Sequence, residues 1–216
     1  VYISDISCGQ PNINKCDFLH VCIPWQEGFL GKVQEEYLGV GASVVIIHST
    51  VPMGMTRLIG NIAVHSPVRG QHDDLRDSVK RFVKYVGGND QETVNKAVAH
   101  LQESGFMVRT MESSDATELM KLMCLSRFLN DLAFYENAEK ICKDMNVDPD
   151  NLLDWTRTYN EGYSMTSFMR PELECPRGVV GGSCVMPVAK MLLEQTHNEF
   201  LKRNVDIFEG KEAITA

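Results

Sequence analysis

The stretch Ser43-Val44-Val45-Ile46-Ile47-His48-Ser49-Thr50-Val51-Pro52-Met53-Gly54 decides the fold. Ser43 to His48 reads as a strand rich in β-branched residues. Thr50-Val51-Pro52 then opens a helix through about Asn61, with proline early, where its missing N–H costs nothing. The same alternation extends both ways. Upstream, Gln26 to Leu38 reads as a surface helix, Asp17 to Pro24 as a buried strand, and Val1 to Asp5 as a strand ending in an acid. Downstream, Ile62 to His65 and Val83 to Val86 read as short strands. Glu92 to Ser104 has apolar positions at helical spacing and stops at Gly105, and Phe106 to Arg109 is a last strand. Strands alternating with helices give an α/β layer with a mainly parallel sheet.

The pattern changes near Glu112, so we divide the chain into domains 1–112 and 113–216. Ser113, Ser114 and Asp115 are good N-caps, and no Gly or Pro interrupts the helical pattern from 115 to 145. About 31 residues make a rod of roughly 46 Å. Its first half is apolar on most sides (Leu119, Met120, Leu122, Met123, Leu125, Phe128, Leu129, Leu132), which predicts burial all round, partly by a second subunit. A shorter helix follows from Pro149 to about Tyr159. Residues 160–183 carry six glycines or prolines and read as a functional loop. Gly181-Gly182-Ser183-Cys184 then leads into a helix expected over Val185 to Lys202, and the tail after Glu209 reads as frayed. Glycines let backbone approach a ligand, and a helix start lowers a thiol's pKa, an arrangement suited to a nucleophile. On spacing alone, Cys184 as a small buried residue is the stronger reading.

Composition narrows the classes. The 216 residues suffice for one large or two modest domains, and a net charge of −8 without a basic block argues against nucleic-acid binding. No apolar run approaches a membrane span, and no signal peptide opens the chain. Seven cysteines are scattered singly, without a C-x-x-C pair, which fits a reducing cytoplasm. The six histidines show no metal-ligand spacing.

Several motifs in order give the chain a resemblance to the UDP-glucose/GDP-mannose dehydrogenase family over most of its length. Val1 to Asp5 resembles the second Rossmann strand with its terminal acid, and Asp17 to Pro24 is similar to the family's D-x-x-x-x-x-V-P strand. Ser49 to Gly54 resembles its S-T-V-P-x-G turn, and His65-Ser66-Pro67 lies where the family has S-P-E. Lys121 looks like its active-site lysine, and Pro176 to Cys184 resembles its P-G-x-G-x-G-G-x-C loop, with Arg177 and Val179 in place of the first two glycines. The resemblance implies a partial Rossmann-type parallel sheet followed by an all-helical, dimerising domain with one long helix.

It also implies NAD-linked oxidation of a sugar C6 alcohol on a UDP- or GDP-sugar, through a cysteine thiohemiacetal and thioester. Cys184 would be the nucleophile, and Lys121 would stabilise the oxyanion. Asp5 would bind the adenosine ribose, with Pro24 and Thr50 on the cofactor side; Thr50 would also help hold a water. Arg170, Gly181 and Gly182 would line the substrate. Each has a plainer reading: Asp5 and Thr50 as caps, Lys121 snorkelling from an apolar helix, and Arg170 paired with Glu172 or Glu174, the stronger reading for that arginine.

The sequence also departs from the pattern. It has no G-x-G-x-x-G turn to cradle a pyrophosphate, as though the chain began one βα unit late. Leu125, Val68 and Val188 stand where the family has asparagine, glutamate and aspartate, and a later acid falls near His72. These are the groups expected to hydrolyse the thioester, so a single-step oxidation of a smaller hydroxy compound and a non-catalytic dimeric relative stay open beside the full reaction.

Overall fold

Val44–Ile47 are each no more than 1% exposed, and they form the second of five sheet strands among the described residues. Val45 and Ile47 pack on one face with Phe29, Val33 and Ile59; Val44 and Ile46 pack on the other with Val64, Val86 and Leu101. Because both faces are covered, the strand carries an unbroken apolar run instead of an alternating one. The computed structural model describes residues 15–37, 39, 41–70, 78–163 and 185–209. Asp5, Arg170, Gly181, Gly182 and Cys184 lie outside them, as do the strand expected at Val1–Asp5 and most of the 160–183 loop.

The strands stand side by side in chain order: β1 (Phe18–Val21), β2 (Val44–Ile47), β3 (Ala63–His65), β4 (Lys84–Gly88) and β5 (Val108–Met111). β1, β2 and β3 pair in parallel, β4 runs antiparallel to β3 with Val64 opposite Gly88, and β5 is parallel to β4. The sheet is therefore mainly parallel, as the alternation predicts. The connections carry α1 (Phe29–Gly31), which continues as a π-helical turn over Lys32–Tyr37, then α2 (Met55–Ile59) and α3 (Gln91–Glu103). Asp90 caps α3 by accepting the Thr93 N–H at 2.8 Å.

Two boundaries differ from expectation for visible reasons. The helix expected from Thr50 begins only at Met55, because Gly54 holds a left-handed φ of 93° in a turn closed by the Met55 N–H on Pro52 O. The last strand starts at Val108 rather than Phe106. Gly105 (φ 85°) and Phe106 are still closing α3, with the Phe106 N–H on Leu101 O and the Gly105 N–H on Gln102 O.

The chain divides into two compact units, Val1–Lys121 and Leu122–Ala216, at a point inside the long helix α4 (Ser114–Asp144). Ser113 caps α4 through its Oγ, which accepts the Ala116 N–H at 3.1 Å. At the far end Asn146 (φ 56°) takes the left-handed position, and the Val147 N–H returns to Cys142 O. The second unit continues with α5 (Asp150–Tyr163), α6 (Val185–Thr196) and α7 (Glu199–Phe208). The single helix expected over Val185 to Lys202 is two: His197 has φ 50°, and Asn198 starts α7 by accepting the Leu201 N–H. Within the single chain α4 is buried on part of its surface only. Leu122 and Leu129 are fully buried, but Met120 and Met123 are about half exposed, at 48% and 50%. Among the described residues no helix is long and apolar enough to cross a membrane.

Candidate functional site

In a parallel sheet, ligands bind beyond the carboxyl ends of the strands. Here three exits make that edge: Cys22–Pro24 after β1, His48–Gly54 after β2 and Ser66–Val68 after β3. The Ser49 hydroxyl ties the first two together by donating to Ile23 O at 2.5 Å. The first two turns of α4 bring Thr117, Glu118 and Lys121 onto the same edge.

Glu118 is fully buried, and its carboxylate accepts the Gly54 N–H at 2.6 Å and the Thr56 N–H at 2.8 Å. Those amides belong to the start of α2, where no intrahelical acceptor exists. Burial pushes the Glu118 carboxyl above its ordinary range, against the hydrogen bonds from Thr56 and Gly54. Lys121, one turn further along α4, donates from Nζ to Val68 O at 2.9 Å. Lys84 on β4 is also buried and donates to Ser66 O at 3.1 Å. Burial lowers its pKa to about 8; the Cys22 thiol pulls it up and Lys121 adds to the fall. Two lysines thus face the exits of β3, and the buried carboxylate beside them is committed to backbone amides. Such an edge favours anionic ligand groups.

His65 links the layers. Its Nε2 stands 3.1 Å from Ser49 O, which can only accept, so Nε2 carries the proton; Nδ1 lies 2.9 Å from Thr117 Oγ1. Burial first of all, with Lys121 and Lys84 behind it, brings the pKa to about 4, while the Ser49 carbonyl pulls the other way. The folded pKa is depressed, so the stability due to neutral His65 is present above the unfolded value of 6.5 and is lost as pH falls toward 4. Between pH 7 and 5 this residue alone should account for a loss of about 2 kcal/mol. Urea unfolding across that range should show it, and a His65→Gln variant should have a shallower acid slope. Equal slopes in the two proteins would remove His65 as the cause.

No family model matches this sequence, and no curated protein does. Solved structures do match. The UDP-D-ManNAc dehydrogenase of Pyrococcus horikoshii superposes with a TM-score of 0.75 at 19% identity, over 89% of this chain and 50% of its own. A UDP-glucose dehydrogenase of Pyrobaculum islandicum gives 0.66 at 16% identity, over 89% and 50%. The 3-hydroxyisobutyrate dehydrogenase of Mycobacterium tuberculosis gives 0.64 at 14%, over 91% and 74%. The fold is dehydrogenase-like. The chain spans about half the length of the nucleotide-sugar dehydrogenases it matches.

Of the residues singled out in the sequence, this edge carries three. Thr50 is half-buried in the turn after β2, Pro24 is exposed after β1, and Lys121 sits opposite the β3 exit. Val68 takes part through its carbonyl, whatever its side chain. Sequence reading missed Glu118, Thr117 and Lys84. A charge three residues before Lys121 in an otherwise apolar helix was the available signal for Glu118.

Proposed function

We propose that this chain is part of a divergent NAD-dependent nucleotide-sugar dehydrogenase that oxidises an alcohol of a UDP- or GDP-sugar. The observation that carries the reading is Lys121, held opposite the β3 exit three residues beyond the carboxylate that fixes the Thr50–Gly54 turn. Bound NAD would supply the hydride acceptor, with Asp5 toward its ribose and Pro24 and Thr50 along its nicotinamide side. Cys184 is the nucleophile of this reading, Lys121 steadies the developing oxyanion, and Arg170, Gly181 and Gly182 hold the sugar nucleotide. The cationic edge supports an anionic ligand of this kind. Cys16, Cys22, Cys124 and Cys142 are free thiols, which supports a reducing, cytoplasmic setting.

NAD binding by calorimetry and turnover of UDP- and GDP-sugars by the full-length protein test this. Turnover should fall at least about 100-fold in Lys121→Ala and in Cys184→Ala. Loss in Lys121→Ala alone would point to single-step oxidation of a smaller hydroxy compound. A second reading, a dimeric relative without redox chemistry, is favoured by apolar Val68, Leu125 and Val188 at positions where the two-step reaction needs polar groups; absence of NAD binding would select it.

Domain division near Glu112 and a homodimer through helix 115–145 belong to the same proposal. Met120, Met123, Phe134, Ile141 and Met145 are all exposed and fall within about 60° of one another around α4. A stripe that long suits a second copy of the helix. Sedimentation equilibrium should give a dimer, weakened at least about tenfold by Phe134→Asp. A monomeric parent would end the idea.

A further inference from the structure

His20 on β1, His48 after β2 and His100 in the last turn of α3 form one row. The buried end sets the direction of its hydrogen bonds. His48 Nδ1 lies 2.8 Å from Ser66 O, so Nδ1 carries the proton and Nε2 keeps its lone pair. That lone pair faces His20 Nδ1 at 2.9 Å, so His20 donates from Nδ1 and its own lone pair is left on Nε2. His20 Nε2 in turn stands 3.0 Å from His100 Nε2. The His100 ring is fixed by Phe18, stacked at 3.9 Å between centroids and 11° between planes.

We propose that His20 and His100 bind a divalent transition-metal ion of the nickel–copper type through their Nε2 atoms, with His48 as the group that orients His20. Metal–imidazole bonds are about 2.0–2.1 Å, so two cis ligands at a right angle stand about 2.9 Å apart. The 3.0 Å gap fits square-planar or octahedral cis positions and is short for a tetrahedral pair, which needs about 3.3 Å. The His20 Nδ1–H bonded to His48 is the outer-shell hydrogen bond that metal-bound histidines characteristically make. On binding, His100 moves its proton from Nε2 to Nδ1 and offers the freed lone pair. Two neutral imidazoles then hold the ion, with no net proton released.

The surroundings set the strength. Among the described residues no group of three or more His, Cys, Asp or Glu could hold a metal, so these two histidines are the ligands the proposal names. The Lys84 charge lowers the pKa of both His20 and His48, and it opposes a cation in the same way. Affinity should therefore be modest, and the ion exchangeable. Its effect would be to clamp the last turn of α3 onto β1, next to the Cys22–Pro24 exit.

Calorimetry with Ni²⁺ on the full chain at neutral pH tests the site. One saturable site is expected, weakened at least about tenfold by His100→Gln and by His20→Gln and unchanged by Cys22→Ser. His100 is half-exposed, so its replacement leaves the core untouched. Electron paramagnetic resonance with Cu²⁺ should show two equatorial nitrogen couplings, falling to one in His100→Gln. The absence of saturable Ni²⁺ binding, binding by both histidine variants as tight as by the unmodified protein, or loss on Cys22→Ser would overturn the proposal.

Discussion

Glu118→Ala is expected to destabilise the first unit by about 2–5 kcal/mol, because it strips two buried amides of their acceptor. The Gly54 and Thr56 N–H groups point at a carboxylate that is itself fully buried, so water has no ready way in to replace it. Opposing this, the native state bears the cost of burying the carboxylate, the same cost that raises its pKa. Removing the charge returns that part, and the loss therefore stays below the sum of two charged hydrogen bonds. Glu118→Gln should recover less than half. Its amide oxygen can accept one N–H, but its NH₂ group meets the other donor to donor. Chemical denaturation of both variants gives the answer. A loss under about 0.5 kcal/mol for Glu118→Ala would mean that the Thr50–Gly54 turn is held by something else. If the proposed chemistry is right, the alanine variant should also bind NAD more weakly, since the loosened turn carries Thr50.

Gly87→Ala should cost at least about 3 kcal/mol. A Cβ at Gly87 would lie 2.1 Å from Ser113 O and 2.8 Å from Thr117 Cγ2. The first of these is backbone at the cap of α4, which cannot swing aside as a long side chain would. Relief requires the start of α4 to lift from β4, and with it the Thr117–His65 contact at 2.9 Å. The informative control is Gly162→Ala in α5, where a Cβ would meet nothing within 4 Å. That change should be neutral or slightly stabilising, by up to about 1 kcal/mol, through helix propensity alone. If thermal unfolding ranked the two variants alike, close packing of α4 on β4 would not explain Gly87.

The two predictions rest on contacts that no local pattern announces. Glu118 is 64 residues from Gly54, and Thr117 is 52 from His65. Read in sequence, Glu118 is one charge in an apolar helix and Gly87 one half of a glycine pair. The late start of α2 has the same origin. Thr50-Val51-Pro52 has good helix-start chemistry, yet the helix waits for Met55, where Glu118 supplies the acceptor for its free amides. The break at His197–Asn198 is different: Asn198 is a sound N-cap inside the polar run Glu194–Glu199, a signal that is local in the sequence.

By itself the sequence determined the succession of strands and helices among the described residues, the parallel bias of the sheet and the length of α4. Those properties follow from apolar period, β-branching, caps and the absence of Gly or Pro, all of which act within a few residues. Only the tertiary structure decided where α2 begins, which side of α4 stays exposed, and that His20, His48 and His100 meet although the outer pair are 80 residues apart. A hydrogen bond or a clash depends on distance in space, and the spacing of residues along the chain carries no measure of that distance until the sheet has brought its strands together.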